Sequence, residues 1–217
     1  MGSLRILPPA ASAHRLRRRR RLASVWSPDY SARQHDAPAV EEGERRMARN
    51  VELKARVVDL AAVEACARSI ADRGPFDLTQ DDTFFACANG RLKLRELAPD
   101  RGELIFYRRP DVADPKVSDY VIAPTPSPAA MRETLGRALG VIGRVRKRRR
   151  LYLVESTRVH LDRVEGLGSF LELEVVLAES QSAADGAGVA LRLLPVLGVS
   201  EQDLVEGAYV DLLRAGR

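Results

Sequence analysis

Cysteine is nearly absent from this chain: Cys66 and Cys87 are the two among 217 residues. They form neither a paired framework nor a metal-ligand spacing, and both stand in apolar settings. They read as buried free thiols in a reducing compartment, with the cytoplasm the expected location. Aromatic residues make up only 5% of the chain, too few to interleave with bases as a stacking platform for single-stranded nucleic acid. No uninterrupted apolar run approaches the roughly 20 residues that a membrane-crossing helix needs, so no membrane partner is expected. A net excess of base is also missing where it would count. The formal charge is +5, but residues 1–46 hold ten Lys and Arg against five Asp and Glu, and residues 47–217 carry 25 of each sign. Basicity belongs to the leading segment, and nucleic acid ranks last among the expected partners.

That segment contains RLRRRRRLASVW, from Arg15 to Trp26, and no acid before Asp29. Its prolines and charges are clustered and its periodicity is weak. Residues 1–46 therefore read as a disordered Arg-rich leader, either a targeting segment or an extension upstream of a true start at Met47. Residues 47–217 suffice for one sizeable core. After a first strand, Asp59 caps a helix carrying Leu60, Val63, Ala67 and Ile70, with Gly74 just beyond its end. Strand-like runs follow at Asp77–Ala88, Gly90–Leu97, Gly102–Arg109 and Val117–Pro124, broken by Asn89-Gly90 and by the PDRG of Pro99 to Gly102, which is hairpin chemistry. Ser127-Pro128 opens a second helix that ends at Gly140. Strands at Arg146–Ser156, Arg158–Val164 and Ser169–Ala178 come next, then helices over Ala184–Leu197 and Glu201–Leu213. The order is α+β, with about eight strands and four helices.

What the sequence has in quantity is charge at every second position. In NVELKARV (Asn50 to Val57), Glu52, Lys54 and Arg56 alternate with Val51, Leu53, Ala55 and Val57. Arg91, Lys93 and Arg95 repeat the pattern; Arg108 lies in the next strand; Lys147 and Arg149 alternate with Arg148 and Arg150; Glu172 and Glu174 alternate with Leu171, Leu173 and Val175. Period two means that each strand has one charged and one apolar face. Facing outward, the charges would coat a small sandwich. Facing into a closed barrel, they would need company, because like charges about 4 Å apart repel by roughly 4 kcal/mol at an effective dielectric near 20. A polyphosphate with Mg²⁺ or Mn²⁺ satisfies both signs: Lys and Arg bind phosphoryl oxygens, and carboxylates hold the hard cation.

Taken in order, NVELKARV, DDTFF…GRLKLRE, YRRP, RKRRRLYLV, VHLDRVEGLGSFLELEVV and GAYVDLL resemble the CYTH superfamily of class IV adenylate cyclases and thiamine triphosphatases. The resemblance spans Met47 to Leu213. It implies a closed antiparallel β-barrel, the triphosphate tunnel, with flanking helices, and a metal-dependent enzyme. The implied reaction is most like that of a class IV adenylate cyclase, turning ATP into cyclic AMP and pyrophosphate. The alternatives are a hydrolase of thiamine triphosphate or tripolyphosphate, or a domain that binds a polyphosphate or nucleotide without turnover. Carried over, Glu52, Asp162, Glu172 and Glu174 hold the metal. Lys54, Lys93, Arg95, Arg108, Lys147 and Arg149 cradle the triphosphate, and Glu52, Lys54, Lys147 and Arg149 carry the catalysis. The family's Glu-x-Glu-x-Lys begins here with Asn50, which removes one anionic ligand. Arg148 and Arg150 are expected on the surface, Arg91 at the mouth, Tyr209 and Asp211 in packing or capping, and His160 in a structural role. A homodimer is the expected assembly if the barrel associates.

Overall fold

The structure, a computed structural model, describes residues 48–216, so the Arg-rich leader lies outside the described residues. Eight strands follow one another: β1 Ala48–Val57, β2 Arg73–Phe85, β3 Arg91–Ala98, β4 Arg101–Arg108, β5 Lys116–Thr125, β6 Val141–Val154, β7 Thr157–Val164 and β8 Gly168–Val176. The helices are α1 Leu60–Ile70, α2 Pro128–Leu139, α3 Ala183–Val196 and α4 Tyr209–Ala215. All pairings are antiparallel, and the strand order β1-β5-β4-β3-β2-β6-β7-β8 closes on itself as β8 pairs with β1. Closure leaves the barrel without an open sheet edge. The class is α+β, as the order of elements predicts.

The apolar phase of the strands lies on the outside of the barrel. Val51, Leu53, Ala55 and Val57 of β1 join Val159, Leu161, Leu171, Leu173 and Val175 of β7 and β8, and over them lie Leu60, Val63 and Ala67 of α1 and Ala190 and Leu194 of α3. The helices, not the lumen, complete this core. Gly186 lets α3 approach: a Cβ there would stand 2.8 Å from Val51 Cγ2 and 2.7 Å from Leu177 Cδ2. Asp59 caps α1, its Oδ1 accepting from the amides of Ala61 and Ala62 at 3.0 and 3.1 Å, a contribution of about 1 kcal/mol. The opposite phase of β1 is buried as well, with Asn50 4%, Glu52 8% and Lys54 3% exposed. Both faces of the strand are therefore covered, one by hydrocarbon and one by charge.

Some boundaries differ from those expected. Gly74 lies inside β2, since α1 ends at a cap on Ala71. β6 begins at Val141, directly after Gly140 turns the chain at φ +79°. Over Glu201–Leu213 the expected single helix is a 3-10 turn at Glu201–Asp203, an extended crossing, and then α4. The crossing is pinned to β1: the Val205 amide donates to the Lys54 carbonyl at 2.9 Å, and Leu204 bridges to Ala55. Backbone pairing with β1 satisfies groups that a helix would have satisfied within itself. Gly207 at φ +74° then turns the chain so that Ala208, Tyr209 and Val210 pack on Phe84, Val145, Val164 and Phe170, closing one end of the barrel.

Candidate functional site

Three carboxylates meet in the lumen. Glu52 pairs in register with Glu174, and Lys54 with Glu172, across β1 and β8. One oxygen from each of Glu52, Glu172 and Glu174 lies within 4.8 Å of the others. Each carboxylate already has a cationic neighbour: Arg109 on Glu52, Arg149 Nη2 on Glu172 Oε2 at 2.9 Å, and Arg158 Nη1 on Glu174 Oε2 at 3.2 Å. The three do not ionise alike. Burial, only partly offset by Arg109, raises the Glu52 carboxyl above its ordinary range, with Glu172 and Glu174 adding to the effect. At Glu172 burial acts the same way, but Lys54, Arg149 and Lys147 overcome it and hold the group well below that range. An all-oxygen set of this kind suits a hard divalent cation, which would relieve the repulsion that Glu52 now relieves by favouring its proton.

The predicted metal ligand Asp162 does not join this set. It is fully buried, and its oxygens are taken: Arg149 donates from Nε at 2.7 Å and Nη2 at 2.6 Å, Lys147 Nζ stands at 3.4 Å, and the Tyr209 hydroxyl donates at 3.0 Å. With both oxygens engaged by cations, Asp162 anchors bases instead of facing an ion. Burial opposes its charge, yet Arg149 and Lys147 bring its pKa down to about 2. A second anchor, Asp82 of β2, escaped the sequence reading. It accepts from Lys93 Nζ at 2.9 Å and from Arg95 Nε and Nη2 at 2.9 and 3.1 Å. The register between β2 and β3 puts it there, with Asp82 opposite Arg95 and Phe84 opposite Lys93.

Of the predicted cradle, Lys54, Lys93, Arg95, Lys147 and Arg149 all lie in the lumen-facing phase. Lys54 Nζ stands 4.1 Å and Lys147 Nζ 5.0 Å from the centre of the Tyr209 ring, which faces the charged space as well as packing in the closed end. Burial pulls Lys54 and Lys93 down to about 8 each. Arg108 is not brought to the carboxylates, although it lines a cavity beside Arg91 and Arg109. It pairs with Asp119 in the outward phase and is exposed, while Tyr107 and the next residue in that phase, Arg109, face inward. Arg109 binds Glu52 and donates to the Gly207 carbonyl at 3.1 Å. Lys116 is a further missed base, 2% exposed and opposite Glu52 in register. Asn50 lies in the same phase, opposite Ser118, and its Oδ1 has no hydrogen-bond partner among the described residues.

The remaining expectations divide. Arg150 is on the outer surface, paired with Asp77 at 2.7 Å and Glu64 at 2.8 Å, and Arg148 is exposed. Arg91 lines a cavity of about 790 Å³, held by Asp111 at 2.6 Å and by Asp211 at 2.7 Å, and Asp211 also caps α4 by accepting the Ala208 amide. Cys66 and Cys87 are free and half-buried. No helix among the described residues is long and apolar enough to cross a membrane.

Known proteins share this architecture. A 68-residue stretch is 31% identical to a Methanocaldococcus jannaschii protein described as a putative adenylate cyclase, covering 31% of this chain and 39% of that protein. A solved structure from Pyrococcus horikoshii OT3 matches with a TM-score of 0.68 at 22% identity, over 76% of this chain and 99% of that one. A Hippeastrum protein, described as a putative adenylyl cyclase with a dominant triphosphatase activity, matches with a TM-score of 0.56 at 17% identity, over 79% and 97% of the two chains. Residues 48–209, from β1 to the first residue of α4, match the CYTH domain, and the chain belongs to that family.

Proposed function

We propose that the lumen binds a triphosphate together with Mg²⁺ or Mn²⁺ and processes it, most nearly as a class IV adenylate cyclase does. The observation that carries this reading is the convergence of Glu52, Glu172 and Glu174 within 4.8 Å, beside Lys54, Lys147 and Arg149, inside a closed barrel. The three glutamates would hold the cation, which when bound supplies neutralisation of phosphoryl charge and alignment of the reacting groups. Lys54, Lys93, Arg95, Arg109, Lys147 and Arg149 bind the phosphoryl oxygens. Asp82 and Asp162 keep four of these bases in fixed rotamers before the substrate arrives, so little reorganisation is needed as negative charge develops on the leaving oxygen.

In the cyclase reaction the ribose 3′-oxygen forms a bond to the α-phosphorus, the bond from that phosphorus to the bridging oxygen breaks, and pyrophosphate leaves. The proton released by the attacking hydroxyl passes to water in the lumen. The same groups serve hydrolysis if water attacks the terminal phosphorus instead. The Hippeastrum relative's described triphosphatase activity favours keeping that second reading. The test is product analysis on the full chain with ATP, thiamine triphosphate and tripolyphosphate, with Mg²⁺ or Mn²⁺, alongside Glu172→Gln. Metal-dependent cyclic AMP release that falls roughly 10²-fold or more in Glu172→Gln is the expected result. Phosphate release without cyclic AMP makes the protein a hydrolase. Tight binding without turnover overturns the enzymatic reading.

A further inference from the structure

His160 is the one histidine in residues 47–217, and nothing in the reading above uses it. It stands on β7 in the lumen-facing phase, pairs in register with Glu172 of β8, and is 4% exposed. Neither ring nitrogen has a hydrogen-bond partner among the described residues. A structural histidine buried to this degree is normally hydrogen-bonded, and among the described residues this one has only the Glu174 carboxylate within ion-pairing distance. Its Nε2 lies 3.5 Å from Glu174 Oε2, outside hydrogen-bonding geometry but close. Arg158 holds the same oxygen at 3.2 Å, fixing the carboxylate beside the ring. Two ligands on adjacent corners of an octahedral ion, each about 2.1 Å from it, stand about 3 Å apart. The spacing of Nε2 and Oε2 is near that separation.

We propose that His160 is a nitrogen ligand of the cation site, binding through Nε2 beside Glu174 and Glu172, and that the site therefore prefers Mn²⁺ to Mg²⁺. This rests on the reading of the three glutamates as the cation site. The physical reason is ligand preference: Mg²⁺ takes oxygen donors in near-ideal octahedral geometry and parts with its water reluctantly, whereas a first-row transition ion gains from imidazole. In this chain an imidazole nitrogen supplements a set in which Asn50 replaces one carboxylate.

The experiment uses Mn²⁺ and Mg²⁺ alone, without substrate, on the full chain. Calorimetry gives the two affinities, and electron spin-echo modulation of bound Mn²⁺ reports any coordinated ¹⁴N. Wild type, His160→Gln and Glu172→Gln are compared; His14 and His35 remain in all three, so a difference belongs to His160. The expected result is a ¹⁴N modulation present in wild type and lost in His160→Gln, with the Mn²⁺-to-Mg²⁺ affinity ratio falling about tenfold or more. Mn²⁺ binding that requires Glu172 but shows no imidazole nitrogen overturns the inference and leaves the carboxylate site standing. No divalent binding to the wild type overturns the cation site itself, and this inference with it. If His160→Gln does not fold, ¹⁵N-histidine labelling of a chain with His14→Gln and His35→Gln decides the same question: a ¹⁵N coupling supports the assignment, and its absence overturns it.

Discussion

Arg108 and Arg109 are chemically identical neighbours with opposite fates. The register that pairs Arg108 with Asp119 turns it to solvent, and the next residue enters the lumen on Glu52. Arg109→Ala should therefore weaken tripolyphosphate binding by about 10-fold to 100-fold, the loss of a charged hydrogen bond worth about 1.5–3 kcal/mol, while Arg108→Ala stays within about twofold. Titration calorimetry of the two variants checks this, and equal effects would contradict the assignment. Asp162 makes a second contrast. With Arg149, Lys147 and Tyr209 all on it, Asp162→Asn should cost about 3–5 kcal/mol of stability in denaturant unfolding yet leave Mn²⁺ binding intact. Loss of Mn²⁺ from a folded Asp162→Asn protein would restore Asp162 to the metal set. Alternation alone does not choose between these roles, because an acid in the lumen-facing phase is compatible with both. The choice depends on which cations lie across the β6–β7 pairing, where Arg149 is directly opposite Asp162.

The elements divide the work between outside and inside. α3 lies against the outer face of β1 and β8, and its Leu194 is fully buried in the cluster with Val51, Leu53 and Leu173. Leu194→Ala should destabilise the fold by about 2–5 kcal/mol, read from urea unfolding, and lower turnover only through the fraction unfolded. α4 is the element the sequence least revealed. Its start was hidden because Glu201–Leu213 has no proline to stop a helix, and Gly207 marks the break only once the Val205-to-Lys54 hydrogen bond is known. Tyr209, expected to pack or cap, does pack against Phe170 with ring centres 4.9 Å apart, and it also donates to Asp162. One residue thus joins the closed end of the barrel to the base network. That role was not legible, since the partner lies 47 residues away along the chain.

At the scale of the whole molecule, the barrel gathers more charge than water would let it keep apart, and its protonation shows this. Burial and the neighbouring Arg95 bring Lys93 down to about 8 despite Asp82, and Lys54 is also near 8. The folded values lie below the ordinary 10.5, so the unfolded chain binds more protons between about 8 and 10.5, and these groups make stability rise with pH across that window. Anion binding has the opposite sign. A bound triphosphate favours the charged lysines, so at pH 8.5 tripolyphosphate binding should take up protons, and its affinity should fall as pH rises beyond about 8. Calorimetry in two buffers of different ionisation enthalpy measures the uptake, and zero uptake would mean that the lysines are not in the cradle.

The sequence by itself determined the strands, their alternation and the chemistry of each phase, because period two is a property of the chain alone. It could place Glu52, Lys54, Lys93, Arg95, Lys147, Arg149, Glu172 and Glu174 on charged faces. Whether those faces looked outward or inward was not local information. Closure of β8 on β1, with α1 and α3 covering the apolar phase, decided it, since only the covered outside leaves the lumen as the place for the charged side chains. The same closure selected Arg109 over Arg108, made Asp82 and Asp162 anchors, and set His160 beside Glu174, because cross-barrel neighbours are fixed by register and not by distance along the chain.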